Sequence, residues 1–236
     1  MLTPFDYAIW IAGALLYLCA ALLAIRNGEF KRHLGVNVYL LSSVAATIGE
    51  WVIFHRYGFY SVQYLYFFYY VESLLSVLLY FVVVGFYQEL LDEMGASQMI
   101  RLATVLVLSA TAVATFAIVE AHRDHMISRF VVELGRNLNF IGGVLTYILL
   151  LAMAKVPSSS RRLLQMVSAL GIYFCVLSLA YGVRMFHPEW RIVRVLPQVT
   201  SLWIAAAWAY AFAKPATVQQ IVGQSAPALD GRLSES

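Results

Sequence analysis

The sequence predicts an all-α membrane protein, a polytopic bundle of seven transmembrane helices with its N-terminus outside and its C-terminus inside. Three observations lead there. Of 236 residues, 61% are hydrophobic and 12% are charged, where an average soluble domain carries about 25% charged residues. Mean hydropathy over the whole chain is +0.75. Apolar runs recur along the chain at about the 20 residues that a helix needs to cross the hydrocarbon.

Seven spans follow in order, at 7–25, 35–55, 62–88, 99–120, 127–153, 162–184 and 192–213, each ending where charge or Pro/Gly appears. The first run has no basic segment before it and no clear small-residue cleavage site, so it reads as a permanent helix rather than a signal peptide. Short joints suit antiparallel neighbours in a bundle. Residues 1–214 form one transmembrane domain, and the polar, small-residue stretch 215–236 is expected to be a flexible cytoplasmic tail. Cys19 and Cys175 both fall inside spans, which argues against a structural disulfide. A net charge of +3 does not point to nucleic acid.

Lysine and arginine set the orientation. With the N-terminus outside, nine basic residues collect inside (Arg26, Lys31, Arg32, Arg101, Lys155, Arg161, Arg162, Lys214 and Arg232) and six outside. The first inner loop carries three of them, while the N-terminus carries none.

In that frame the polar residues gather in the outer half. Span 2 places Ser43, Thr47 and Glu50 on one stripe. Span 3 aligns Tyr69, Glu72, Ser76 and Tyr80, with Glu72 ten residues after Val62 and so roughly 15 Å down, near the middle of the ~30 Å core. Span 6 ends with Tyr173, Tyr181 and Arg184 aligned, and span 7 begins with Arg194, Gln198 and Ser201 aligned.

Span 5 is the most polar. Glu133, Arg136, Asn137 and Phe140 share a face that continues to Tyr147, while Gly135 and Gly142 lie almost opposite, where another helix could approach closely. A charge at membrane depth costs at least about 2.5–3.5 kcal/mol on insertion scales, so both faces are expected to be enclosed. Two readings stay open: an internal ion pair from Arg136 to Glu72 or Glu133, or a ligand or proton site. Glu50, Glu72 and Glu133 outnumber the one deep arginine, and Arg184 and Arg194 are candidates to balance them from the rim.

Other motifs carry less. Ten aromatics among the seventeen residues from Phe54 to Tyr70 read as an interfacial belt, with Tyr66, Tyr69 and Tyr70 deep enough to line a pocket. His122-Arg123-Asp124-His125 holds metal-capable side chains without a second ligand cluster, so no metal is expected. All five histidines sit at span ends, which does not suit haem, and span 7 has no mid-helix lysine for retinal. No cofactor is expected, and no nucleophile elbow or phosphate loop suggests an enzyme. Pro197-Gln198 is a lone pair near the start of span 7, where proline is tolerated.

Tyr69-Tyr70-Val71-Glu72, Glu133-x-x-Arg136 and the basic hinge Arg26–Arg32 together resemble a family of uncharacterised bacterial seven-helix integral membrane proteins. The resemblance covers roughly spans 2 to 7 and implies a bacterial inner membrane, without an activity. The expected function is a non-enzymatic module that senses a ligand or serves as a membrane-complex subunit. The alternative is a small proton-coupled transporter with its site between helices 2, 3, 5, 6 and 7. The expected site is Glu50, Glu72, Tyr69, Glu133, Arg136, Asn137, Tyr181, Arg184, Arg194 and Gln198. Expected partners are the lipid bilayer, a membrane protein or second copy of the chain, and a small-molecule ligand.

Overall fold

The computed structural model describes residues 4–58, 61–92, 106–107, 109–116, 126–155, 161–186 and 191–213, and within them the side chains of all but residues 4–6, 92, 126–129, 132, 184–185 and 191–194. Part of the fourth span, the motif at 122–125, the tail 215–236 and the side chains of Arg184 and Arg194 lie outside the described residues. Helices α1 (Pro4–Arg26), α2 (Leu34–Tyr57), α3 (Val62–Asp92), α5 (Met126–Lys155), α6 (Arg161–Phe186) and α7 (Arg191–Ala213) are joined by α4, helical at 106–107 and 109–116. Among the described residues every regular element is a helix. In hydrocarbon a helix is one of the few structures that satisfies its own backbone. Six helices carry membrane-length apolar spans of 19 to 30 residues.

Helix α1 packs on α2 and α7, α2 on α3, α3 on α5, α5 on α6 and α6 on α7, so six helices close a ring across which α3 and α6 also touch. Small residues let the helices approach: Ala20, Ala21 and Ala24 of α1 and Ala205 of α7 are fully buried. One half of the ring is filled by Leu40, Phe86, Met166, Leu170, Phe174, Trp208 and Phe212. Trp208 donates its indole N–H to the Met166 carbonyl at 3.2 Å, as a buried indole must.

Seven hydroxyls inside the helices are satisfied by their own helix. Ser43, Thr47, Ser76, Thr111, Thr115, Thr146 and Thr200 each donate to the carbonyl four residues back. Pro197 lies inside α7 rather than in its first turn, because the helix begins at Arg191, and α7 continues through it.

The joint between α1 and α2 is built by local rules. Gly28 takes φ +70°; its N–H reaches the Ile25 carbonyl, and that of Glu29 reaches Ala24. This is the two-bond glycine stop that satisfies the last carbonyls of a helix. It delivers Glu29, Arg32 and His33 to one end of the ring.

Helix α5 departs from the expectation of enclosure on both sides. Its glycine face turns inward: a Cβ on Gly142 would stand 2.6 Å from the Phe174 ring, and one on Gly135 3.4 Å from Ser73 Oγ. The polar stripe turns outward, with Phe140 64% and Tyr147 63% exposed and the Arg136 side chain 49% exposed. A helix can bury only one broad face against α3 and α6, and the closest approach available there selects glycine over the long polar side chains. The arginine escapes full desolvation because it lies on that outward face, where it pairs with Glu133.

Candidate functional site

The polar interior is assembled around Glu72 of α3. Tyr181 of α6 donates its phenol to Glu72 Oε1 at 2.6 Å, joining two helices that touch across the ring. Glu50 of α2 lies near enough for its charge to interact with that of Glu72, and Tyr64 sits beside Glu50. Behind Tyr181, Tyr173 of α6 neighbours Tyr39 of α2, which packs edge-on against Tyr17 and lies near Ser43. Tyr17 donates to the Ser201 carbonyl of α7 at 3.2 Å. A run of phenols and carboxyls therefore passes through α1, α2, α6 and α3 with α7 at its edge.

Tyr181 has a second face. Together with Arg136, Asn137, Asn139, Phe140 and Ser178 it lines a groove of about 210 Å³ between α5 and α6. Arg136 is paired with Glu133 one turn away on α5, and Asn137 donates its amide to Thr115 Oγ1 of α4 at 3.0 Å. Asn139 is only 5% exposed. Among the described residues its amide has no hydrogen-bond partner, and it keeps access to the groove. The arrangement can hold a small polar group by several donors and pass its presence through one phenol to a partly buried carboxylate.

Of the residues singled out in the sequence, Glu72 and Tyr181 are brought into contact, Glu50 lies beside them, and Glu133, Arg136 and Asn137 meet at or near the groove mouth. Arg136 is bonded to Glu133, and Glu72 is bonded instead to Tyr181. Tyr69 packs edge-on against Phe68, and Gln198 accepts the Ser201 hydroxyl through its backbone carbonyl; neither lines the groove. Tyr66 and Tyr70 are 42% and 46% exposed, on the outer surface.

Asn139 and Ser178 were missed as site residues. Asn139 lies off the stripe of Arg136, and Ser178 stands one turn before Tyr181, a spacing that could have found it. Missed too was a charged cluster at the opposite end of the ring. Glu29 binds Arg162 of α6 at 2.7 Å, Glu89 of α3 binds Arg32 at 2.6 Å, and His33 stands 3.7 Å from Glu29 and 3.4 Å from Glu89. Burial holds the His33 imidazole below its ordinary value, against the pull of Glu89 and Glu29.

No family model, curated protein or solved structure matches the chain.

Proposed function

We propose that this is a non-enzymatic membrane protein that senses a small ligand in the groove between α5 and α6. One observation carries the reading: Tyr181 lines the groove and at the same time donates at 2.6 Å to Glu72, so a single side chain belongs to both the surface site and the interior. A ligand that draws the Tyr181 phenol toward itself weakens its bond to Glu72 and shifts α3 relative to α6. Glu50 then relays the change to α2. Such a shift needs only differential affinity of the ligand for the two arrangements.

The Lys/Arg distribution supports a groove on the outer side of a bacterial inner membrane, and the motif resemblance supports the same placement. The carrier reading is weaker: α1–α3 and α5–α7 run unbroken, whereas carriers often bind at interrupted helices.

The test occupies the groove without a natural ligand. In a background with Cys19 and Cys175 replaced by alanine, Ser178→Cys is converted to its methyl disulfide with methyl methanethiosulfonate. Hydrogen exchange is then read in α2 and α3. The modification should change exchange around Glu72 and Glu50, and Tyr181→Phe should abolish that change. Unchanged exchange in α3 would refute the coupling. Proton flux into liposomes that disappears with Glu72→Gln would establish the carrier instead.

A further inference from the structure

The chemistry of the groove names the class of ligand, an inference that rests on the α5/α6 groove being the receiving site. Among the described residues the lining presents Arg136, Asn137, Asn139 and Ser178 beside Phe140 and no carboxylate, and Glu72 is bonded to the Tyr181 phenol. A guanidinium remains charged at any accessible pH and has five donors. Glu133 engages one terminal nitrogen, which fixes the group while leaving donors for a second partner. Asn139 adds an amide that is 95% buried by the complement of its 5% exposure and has no protein partner among the described residues. Its amide keeps access to the groove, so it can meet an acceptor oxygen there together with the guanidinium.

The surroundings of the groove add the second half of the argument. From Phe140, the residues Val144, Tyr147 and Leu151 descend the same face of α5 at helical spacing, all between 46% and 64% exposed. Leu179 and Ile172 of α6 are 63% and 48% exposed. Arg136 and Asn139 stand in the first half of α5 (Met126–Lys155), and Ser178 and Tyr181 in the second half of α6 (Arg161–Phe186). The donors therefore cluster toward one end of the helix pair, and apolar tracks lead away from them along both helices.

We infer that the groove binds an anionic phosphate group, carried either by a membrane phospholipid or by a soluble phosphate ester. Oxygens of the phosphate take the Arg136 guanidinium and the Asn139 amide, and in the lipid case one acyl chain lies along Phe140, Val144 and Tyr147. Charge-assisted bonds of this kind are stronger than neutral ones.

The experiment titrates the delipidated full chain in maltoside detergent with phosphatidylglycerol, with diacylglycerol of the same acyl chains, and separately with glycerol 3-phosphate. Native mass spectrometry counts retained lipid, and calorimetry follows the soluble ester. Retention of phosphatidylglycerol over diacylglycerol, reduced about tenfold or more by Arg136→Gln and by the near-isosteric Asn139→Asp, supports the phosphate site with the membrane as its source. Binding of glycerol 3-phosphate with the same mutational pattern supports the same chemistry from a soluble source. Equal retention of the two lipids with no binding of glycerol 3-phosphate overturns the inference, as does phosphate binding untouched by the substitutions in protein that keeps its helical circular dichroism. Should Asn139→Asp fail to fold, Ser178→Asp places the same repulsive charge in the groove. The methyl disulfide experiment at position 178 reads coupling alone, so it can succeed where this one fails.

Discussion

Arg162 and Glu29 meet at 2.7 Å although 133 residues separate them. Their side chains are 14% and 12% exposed, and the bond closes the ring by tying the joint after α1 to the first turn of α6. Removing one partner of a fully buried pair costs about 3–5 kcal/mol; the residual water contact here lowers the expected loss to about 2 kcal/mol for Arg162→Leu. Unfolding in detergent measures it, and the double variant with Glu29→Leu should lose less than the sum of the single losses. Additive losses would show that the pair contributes no coupling.

The same cluster predicts a pH dependence. Burial is the main cause that lowers the His33 pKa from 6.5, with Arg32 and Arg162 adding to it, while Glu89 and Glu29 oppose. In the unfolded chain His33 takes up a proton as pH falls through about 6.5, whereas the folded protein resists it. Stability is therefore unaffected well above that value and declines as pH falls through it. The melting temperature of the wild type should drop between about pH 7.5 and pH 5.5, and His33→Gln should reduce the drop. An equal drop in the variant would assign the effect to other groups.

Two glycines give opposite expectations for the same substitution. A Cβ at Gly142 would meet the Phe174 ring at 2.6 Å, and Phe174 is 1% exposed, so the ring would have to shift within a packed core. Gly142→Ala should cost about 1–3 kcal/mol. A Cβ at Gly85 of α3 would meet nothing within 4 Å, so Gly85→Ala should stabilise by up to about 1 kcal/mol through helix propensity. Thermal unfolding of both variants decides this, and similar signs would contradict the packing described for α5 and α6.

Arg136 provides a fourth test. A double-mutant cycle of Arg136→Leu with Glu133→Leu should give a coupling of about 0.3–1 kcal/mol, the range for an exposed pair on one helix. The cycle with Glu72→Leu should be additive within about 0.5 kcal/mol. Coupling to Glu72 alone would mean that Arg136 points into the ring.

The helical class and the six spans were legible because apolar runs of membrane length have few other physical meanings. The position of Glu72 along α3 followed as well, since rise per residue converts sequence position into height. Height is not azimuth, however. The stripe of Glu133, Arg136 and Phe140 could be read, but whether it faced the ring or its surroundings depended on which face of α5 could approach α3 and α6 most closely. Gly142 against Phe174 settles that, and the contact spans 32 positions that no local pattern connects. The cluster of Glu29, His33, Glu89 and Arg162 was hidden for a related reason. Each lies beside a span end where charge is ordinary, and only the closed ring brings them together.

Several of the bonds between helices end on carbonyl oxygens rather than on side chains. Ser73 reaches Val131, Tyr87 reaches Leu145, Tyr17 reaches Ser201 and Trp208 reaches Met166. Every residue supplies a carbonyl, so the accepting positions can change identity without losing the bond, whereas the donating ones cannot. Drift in this protein is therefore asymmetric: a substitution at Leu145 leaves this bond between α3 and α5 in place, and the reciprocal change at Tyr87 loses it.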